Sequence, residues 1–379
     1  MILNTEKVKN ACSKILVAID SNSESNLTDL LELKTENKIL YLNVTNNEYF
    51  VKVKLSDCDE DFHATVRAEL FLKLISHVTT EDIEFKVVNN SLVVTANGTS
   101  NFALVYNNMG SEVVTLPEIS ISNITSEFNI NSNILNSIYV NNSKELSKIS
   151  KTNYARVNPV QKMYYIDEKG AITFYTGACV NRFNLEKPVK ILLNSNLVKL
   201  FTLFKDTSVK FSLGYDPLSD TIIQTKVKFE TDDIYITAIL NYDESLLKMM
   251  PAEAIRERAF NEYSYIVTIN RSEFLGAIKR VLLFANENIV STYKTCGIFS
   301  FGKSSFKISD CSKETIEELH YANELTSDII YEAKLDLTDI KLSLENNSDQ
   351  YITLGFGDST AMVIAKDNIY TVIPEMEKD

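Results

Sequence analysis

Residues 265–287 read YIVTINRSEFLGAIKRVLLFANE. Asn270 and Glu273 stand three apart, the spacing of a capping box with asparagine as the cap. Phe274, Ala277, Ile278, Val281 and Leu282 then fall at i, i+3, i+4, i+7 and i+8, one face of an amphipathic helix. Arg271, Lys279 and Arg280 lie off that face. A helix that buries one side and carries cations elsewhere is the unit from which the rest of the chain can be read.

Such a unit recurs in order along the sequence. Near the start, EKVKNACSKILVAI places Val8, Cys12, Ile15 and Ile19 on one face. Lys7 and Lys14, seven apart, run beside it, with Lys9 between them. A second helix is expected over VRAELFLKLISHV, with Leu70, Phe71, Leu74, Ile75 and Val78 apolar and Arg67 and Lys73 outside them. In IEFKVVNNSLVVTANGTSNFALVY, Asn89-Asn90 joins two alternating runs, a hairpin signal. In the middle third, SNILNSIYVNNSKELSKIS holds the opening helix and Lys144, Lys148 and Lys151, with Asn141-Asn142 as a candidate break. NSNLVKLFTLF supplies a second helix, with Leu197, Leu200, Phe201 and Phe204 on one face and Lys199 and Lys205 off it. Strands around a turn at Asp216-Pro217 follow. In the last third the second helix is LDLTDIKLSL, beside Lys334 and carrying Lys341. The strands YITLGFG and AMVIAKDNIYTVIP come after it.

Each unit has two helices and several short strands over roughly 120 residues, an ordinary domain size. Polar connectors at 117–127 (PEISISNITSE) and 251–264 (PAEAIRERAFNEYS) separate them. The expectation is an α+β chain of three repeated domains, 1–122, 123–255 and 256–379.

The chain has 379 residues and 45% hydrophobic content, enough for several cores. No run approaches the roughly 20 apolar residues that span a bilayer. The opening MILNTEKVKNACSKILVAI lacks the pattern of a secretory signal, so a soluble cytoplasmic protein with no membrane partner is expected. Cys12, Cys58, Cys179, Cys296 and Cys311 form no CxxC pair and read as free thiols of a reducing compartment. His63, His77 and His320 are scattered, so no metal site is expected. Neither nucleophile motif, phosphate loop nor dinucleotide fingerprint occurs, and no catalytic residues or cofactor are assigned. The carboxylate run Asp57, Asp59, Glu60 and Asp61 lacks the central glycine of a calcium loop and reads as solvated. Gly355-Phe356-Gly357-Asp358 reads as a hairpin turn.

Net charge is −13. A uniformly acidic surface would exclude a phosphate-rich partner, but a net charge does not say where charges sit. The location of the cations decides. Candidate contacts to nucleic acid are Lys7, Lys14, Arg67, Lys73, Lys144, Lys148, Lys199, Arg271, Lys279, Arg280 and Lys341. A lysine on a helix is ordinarily just solvated, and Glu6, Glu69, Glu145, Glu273, Asp336 and Asp339 interrupt the set. The functional reading requires all six helices to face one shared surface. An all-β structural or adhesion protein of repeated domains remains open, as does an enzyme of unfamiliar fold.

Four stretches resemble the bacterial-type sliding clamp, the β subunit of the replicative DNA polymerase. In YYIDEKGAITFYTGACVNRF, Thr176, Gly177, Arg182 and Phe183 are similar to a motif of the middle clamp domain. The usual acidic residue is absent and the spacing is one longer. KPVKILLNSNLVKLF resembles the approach to that domain's second helix. YIVTINRSEFLGAIKRVLLFANE resembles the start of the third domain. YTVIPEMEKD resembles the family's terminal strand and tail through Ile373-Pro374-Glu375-Met376.

The resemblance implies domains with two helices inside and antiparallel sheets outside, three of them making half a closed ring. Two chains would close it as a homodimer around duplex DNA, held without regard to sequence. It also implies a non-enzymatic processivity factor that binds a DNA polymerase and a clamp loader through a peptide cleft. Carried over, that cleft would comprise Ile166, Val180, Arg182, Phe183, Met249, Pro251, Val372, Ile373, Pro374 and Met376, with Lys248 and Thr371 beside them.

Overall fold

The computed structural model describes residues 1–379 apart from 20–26, 47, 108, 148–157, 175–176, 218–222, 241, 243, 286–294, 324, 326–330, 346–348, 358–360 and 377–379. One succession of elements occurs three times: a strand, a helix, four strands, a second helix and three strands.

The first copy runs β1 (Ile2–Asn4), α1 (Thr5–Ala18), β2 (Leu30–Glu36), β3 (Ile39–Thr45), β4 (Tyr49–Asp57), β5 (His63–Arg67), α2 (Ala68–His77), β6 (Asp82–Val88), β7 (Ser91–Thr95) and β8 (Thr99–Ala103). The second runs β9 (Asn123–Asn131), α3 (Ser132–Ser147), β10 (Tyr164–Asp167), β11 (Gly170–Phe174), β12 (Ala178–Arg182), β13 (Lys190–Leu193), α4 (Ser195–Lys199), β14 (Ser208–Pro217), β15 (Ile223–Glu230) and β16 (Ile234–Ile239). Two short helices follow, α5 (Glu244–Lys248) and α6 (Ala252–Ala259). The third copy runs β17 (Tyr265–Asn270), α7 (Arg271–Ala285), β18 (Cys296–Phe301), β19 (Ser305–Asp310), β20 (Ile316–His320), β21 (Tyr331–Asp336), α8 (Leu337–Glu345), β22 (Tyr351–Phe356), β23 (Ala361–Lys366) and β24 (Ile369–Pro374).

The chain divides into two compact units. Met1–Asn136 with Asn196–Tyr242 form one, and Ser137–Ser195 with Asp243–Asp379 the other. The first holds a four-stranded sheet, β1-β6-β7-β8, and an eight-stranded sheet, β5-β2-β3-β4-β16-β15-β14-β9. The second holds β13-β10-β11-β12-β24-β23-β22-β17 and β20-β19-β18-β21. The middle copy thus gives one four-stranded half to each unit.

Both joints follow one rule. The third of the four consecutive strands in one copy pairs antiparallel with the last strand of the next. In one unit β4 meets β16, with Val51 opposite Ile236; in the other β12 meets β24, with Val180 opposite Tyr370.

The helix of residues 271–285 buries the face its spacing predicts: Phe274, Ala277, Ile278, Val281 and Leu282. These pack with Phe299, Phe306, Leu354, Phe356 and Ile373 in one cluster of the second unit. Phe301 stacks on Phe356 with ring centroids 3.9 Å apart, and Phe274 meets Phe306 edge-on at 5.5 Å. Such rings supply most of the apolar burial of a core this size.

Several local expectations are corrected. In α2 the buried residues are Ala68, Phe71, Leu72 and Ile75. Leu70, expected inside, is 66% exposed. The helix starts at Ala68, which rotates its i, i+3, i+4, i+7 stripe onto Leu72. Asn141-Asn142 does not break α3. Asn142 is buried instead, its Nδ2 donating to the Cys179 carbonyl at 3.1 Å. Its Nδ2 is partnered, although its Oδ1 is not, and the helix continues. The second helix of the middle copy is five residues of α4 and then a 3-10 turn over Leu200–Leu203. The connector PAEAIRERAF is not a linker: it forms α6 and buries Ala252, Ile255, Arg256 and Ala259.

Candidate nucleic-acid and peptide interfaces

Asparagine caps the first helix of every copy. Asn4 Oδ1 accepts from the Lys7 amide at 3.2 Å, and Asn131 Oδ1 from the Asn133 amide at 2.8 Å. Asn270 Oδ1 accepts from the amides of Ser272 and Glu273 at 3.0 and 3.2 Å. A strand ending in asparagine hands each helix over in the same rotational phase, because the cap fixes which residues begin the first turn. The polar face therefore starts at an equivalent place in each copy.

The cations of these helices differ sharply in their surroundings. Lys7, Lys73 and Lys199 are exposed and Lys14 half-buried, and none of the four pairs with a described carboxylate. Arg67 is bound to Asp29. Arg280 grips Glu317 with two bonds of 2.7 and 2.8 Å, a fork-to-fork geometry that raises its pKa and lowers that of Glu317. Lys279 and Lys341 share one partner, Glu345, at 3.1 and 3.7 Å. Arg271 faces inward: its Nε donates to the Asp349 carbonyl at 2.9 Å and its Nη1 to the Leu344 carbonyl at 3.0 Å. It ties down the end of α8 and serves as a structural cap. Of the lesser candidates, Lys9 pairs with Glu6 at 3.6 Å. Lys144 lies within α3, whereas Lys148 and Lys151 lie outside the described residues.

Of the residues assigned to a peptide cleft, Ile166, Val180, Arg182, Val372, Ile373 and Pro374 lie on one sheet of the second unit, but not on one face. Opposed residues share a face and neighbours along a strand alternate. The ladder pairs Ala178 with Val372 and Val180 with Tyr370. Val180, Arg182, Val372 and Pro374 therefore share one face. Ile166 and Ile373 belong to the other, where Ile373 is buried with α7 and α8. One-residue alternation, invisible in the motif, separates those two side chains from the other four.

Helix α6 lies over the first of these faces. Arg256 Nη2 donates to Asp167 Oδ1 at 2.5 Å, with both side chains almost wholly buried. One turn on, Phe260 stands edge-on to Tyr370 at 4.9 Å, and the Arg182 guanidinium lies 5.2 Å over the Phe260 ring. Val180 and Val372 are buried beneath. Met249 is half exposed, Pro251 and Phe260 are exposed, and Phe183, Pro374 and Met376 are partly covered. Met376 is anchored by its amide to the Lys334 carbonyl at 2.9 Å, and Glu375 accepts from the Tyr331 hydroxyl. Gly177 is required where it stands, since an added Cβ would sit 2.5 Å from the Val372 carbonyl oxygen. Thr176 lies outside the described residues.

Phe260, Tyr370 and the Arg256–Asp167 pair were not anticipated. The i, i+3, i+4, i+7 spacing of Ala252, Ile255, Arg256 and Ala259 was available, but the charges in PAEAIRERAF masked it. No described group of three or more His, Cys, Asp or Glu could hold a metal. No described helix is long and apolar enough to cross a membrane.

No family model matches the sequence, and no curated protein matches it. Solved structures do. The chain is similar to DNA polymerase III β subunit from Thermotoga maritima at 13% identity and TM-score 0.76, covering 100% of this chain and 99% of that one. A sliding clamp from Pseudomonas aeruginosa bound to griselimycin matches at 13% identity and TM-score 0.77, with the same coverage. The β chain from Streptococcus pneumoniae gives 14% and 0.74, again over 100% and 99%. The expected α+β fold of repeated clamp domains is therefore the fold of this chain.

Proposed function

We propose that the chain is half of a DNA sliding clamp, a non-enzymatic ring subunit that tethers a replicative polymerase to duplex DNA. The observation that carries this reading is an unfilled joint. The joining rule is used twice inside the chain, β4 to β16 and β12 to β24. It leaves over the last strand of the first copy, β8, and the third consecutive strand of the last copy, β20, both at sheet edges. A second chain would supply the missing partner for each: β20 of one against β8 of the other, twice, in a closed twofold assembly. Three modules at about 1–122, 123–255 and 256–379 from each chain then make a six-module ring.

Full-length likeness to sliding clamps and DNA polymerase III β subunits supports the same reading. A ring retains DNA by topology, so its contacts can be few, weak and indifferent to sequence. That suits helices on which only some cations are free. Lys7, Lys14, Lys73 and Lys199 are the residues we assign to phosphate contact. The polymerase and clamp loader would dock through short peptides at the exposed or partly exposed Met249, Phe260, Phe183, Pro374 and Met376, in the cytoplasm, where replication proceeds. Methionines and aromatic rings suit a groove that accepts several peptides.

Sedimentation and small-angle scattering test the ring. Two chains with a central hole are expected. Ile316→Asp on β20 should give monomers, because a pairing edge would bury the new charge. A wild-type monomer, or an unaffected Ile316→Asp dimer, would refute the joint. Retention on nicked circular DNA should fall for the pair Lys7→Glu and Lys73→Glu, and Met249→Asp should lose polymerase-peptide binding without opening the ring.

A further inference from the structure

Cys296 opens β18, and Cys311 follows the last residue of β19. The strands pair antiparallel with Gly297 opposite Asp310. Continued by one step into the turn after β19, that register would bring Cys311 opposite Cys296. Opposed residues of an antiparallel pair have Cα atoms about 4.5–5.5 Å apart and side chains on the same face. That span is within the range a disulfide bridges. The Cys311 thiol donates to the Cys296 carbonyl at 3.5 Å, and the Cys296 thiol to the Gly297 carbonyl at 3.9 Å. Cys311 is exposed and Cys296 half-buried, so one sulfur of the pair is open to a reagent and the other is shielded.

We propose that Cys296 and Cys311 form an oxidisable pair that closes to a cross-strand disulfide at the foot of the turn leading into β20. The oxidant is a low-molecular-weight disulfide. The Cys311 thiolate attacks one of its sulfurs and expels one small thiolate, leaving a mixed disulfide on Cys311. Cys296 then loses its proton, attacks Cys311 Sγ and expels the second. Two protein thiols are oxidised and one small disulfide is reduced to two thiols.

The order follows from access. Burial pushes the Cys296 thiol up to about 12, so it is a poor first nucleophile. Once Cys311 carries the adduct, the high local concentration of its neighbour drives closure. A bond between directly opposed strands is strained and readily reduced, which fits a reversible pair in a reducing compartment.

The bond would tether the start of the β19–β20 connection to β18. That connection is built on Asp310, whose carboxylate accepts from the Ser312 and Thr315 amides at 2.8 and 2.9 Å. It sets the position of β20, so oxidation should change how tightly two chains associate. This consequence rests on the ring reading; the disulfide does not.

The test is to incubate the full chain with oxidised glutathione and map peptides without reduction. A cross-linked pair of peptides bearing Cys296 and Cys311, lighter by two hydrogens than the sum of the free peptides and reopened by dithiothreitol, is expected. Cys296→Ser should instead retain glutathione on Cys311. A wild-type chain that keeps glutathione on Cys311 while Cys296 remains free to alkylate would overturn the proposal, as would a bond from Cys311 to Cys58. Sedimentation of the oxidised and reduced chains then reads the effect on association. A clean cross-link with a monomer in both states would uphold the pair and reject the ring.

Discussion

Lys279 on α7 reaches Glu345 on α8 across 3.1 Å, and Lys341 meets the same carboxylate at 3.7 Å. One acid thus occupies two cations that the sequence presents as DNA contacts. Glu345→Gln should release both. If these helices face phosphates, the slope of log retention against log salt should steepen by up to roughly two units. The pairs are exposed, so the melting temperature should hardly move. Salt titration of complexes on nicked circular DNA reads the first, and thermal unfolding the second. An unchanged slope would remove Lys279 and Lys341 from the interface.

Arg271 should behave in the opposite way. Its guanidinium holds two backbone carbonyls near the end of α8. Arg271→Ala is expected to cost on the order of 1–3 kcal/mol of stability, as for hydrogen bonds from a charged donor. Chemical denaturation measures this. DNA retention by the folded fraction should be close to wild type.

Arg256 and Asp167 form a buried ion pair between α6 and the sheet. Removing one partner strands the other charge in a low-dielectric site. Arg256→Ala should therefore destabilise by about 3–5 kcal/mol. The double variant Arg256→Ala with Asp167→Ala should recover a large share of that loss, since neither charge is then left unpaired. Equal losses in the single and double variants would show that packing of the arginine stem, rather than the charge, is what matters.

Asp216 is held at about 2 by its bond to Lys226 and by Ser122, well below the ordinary aspartate value. Lys226 also donates to the Ser120 carbonyl at 2.8 Å, tying the connector before β9 to β15. The folded pKa lies below the unfolded one, so the contribution is complete above about pH 4 and fades as pH falls toward 2. Asp216→Asn should lower stability at neutral pH and flatten the acid limb of the stability profile. Unfolding curves taken at successive pH values read both effects.

Much of the fold was legible. The faces of α1 and α7 were set by helical spacing of large apolar groups, and strands by alternation. Both are short-range patterns that a chain displays before it folds. Errors came where a single side chain could go either way. Leu70 and Leu72 are equally apolar, and only the start of α2 at Ala68 chose between them. Asn142 reads as a helix breaker until a buried acceptor, the Cys179 carbonyl, is supplied from another strand. PAEAIRERAF reads as a linker until Asp167 arrives to neutralise Arg256.

The candidate site divides in the same manner. Which residues are cations was fixed by sequence. Which cations are free was not, because Glu317 and Glu345 reach Arg280, Lys279 and Lys341 only after packing. Likewise, the tail motif announced Val372 and Ile373 together, yet pairing with β12 sends adjacent side chains to opposite faces of the sheet.

By itself, the sequence determined the repeated order of helices and strands and the apolar stripe on α1 and α7, since periodicity is a local property of a polymer with fixed helix and strand geometry. Tertiary structure alone decided which strands join, β4 to β16 and β12 to β24, and which strands, β8 and β20 among them, lie at sheet edges. Strand pairing is a contact between distant segments, and its hydrogen bonds are made by backbone groups that every residue carries alike.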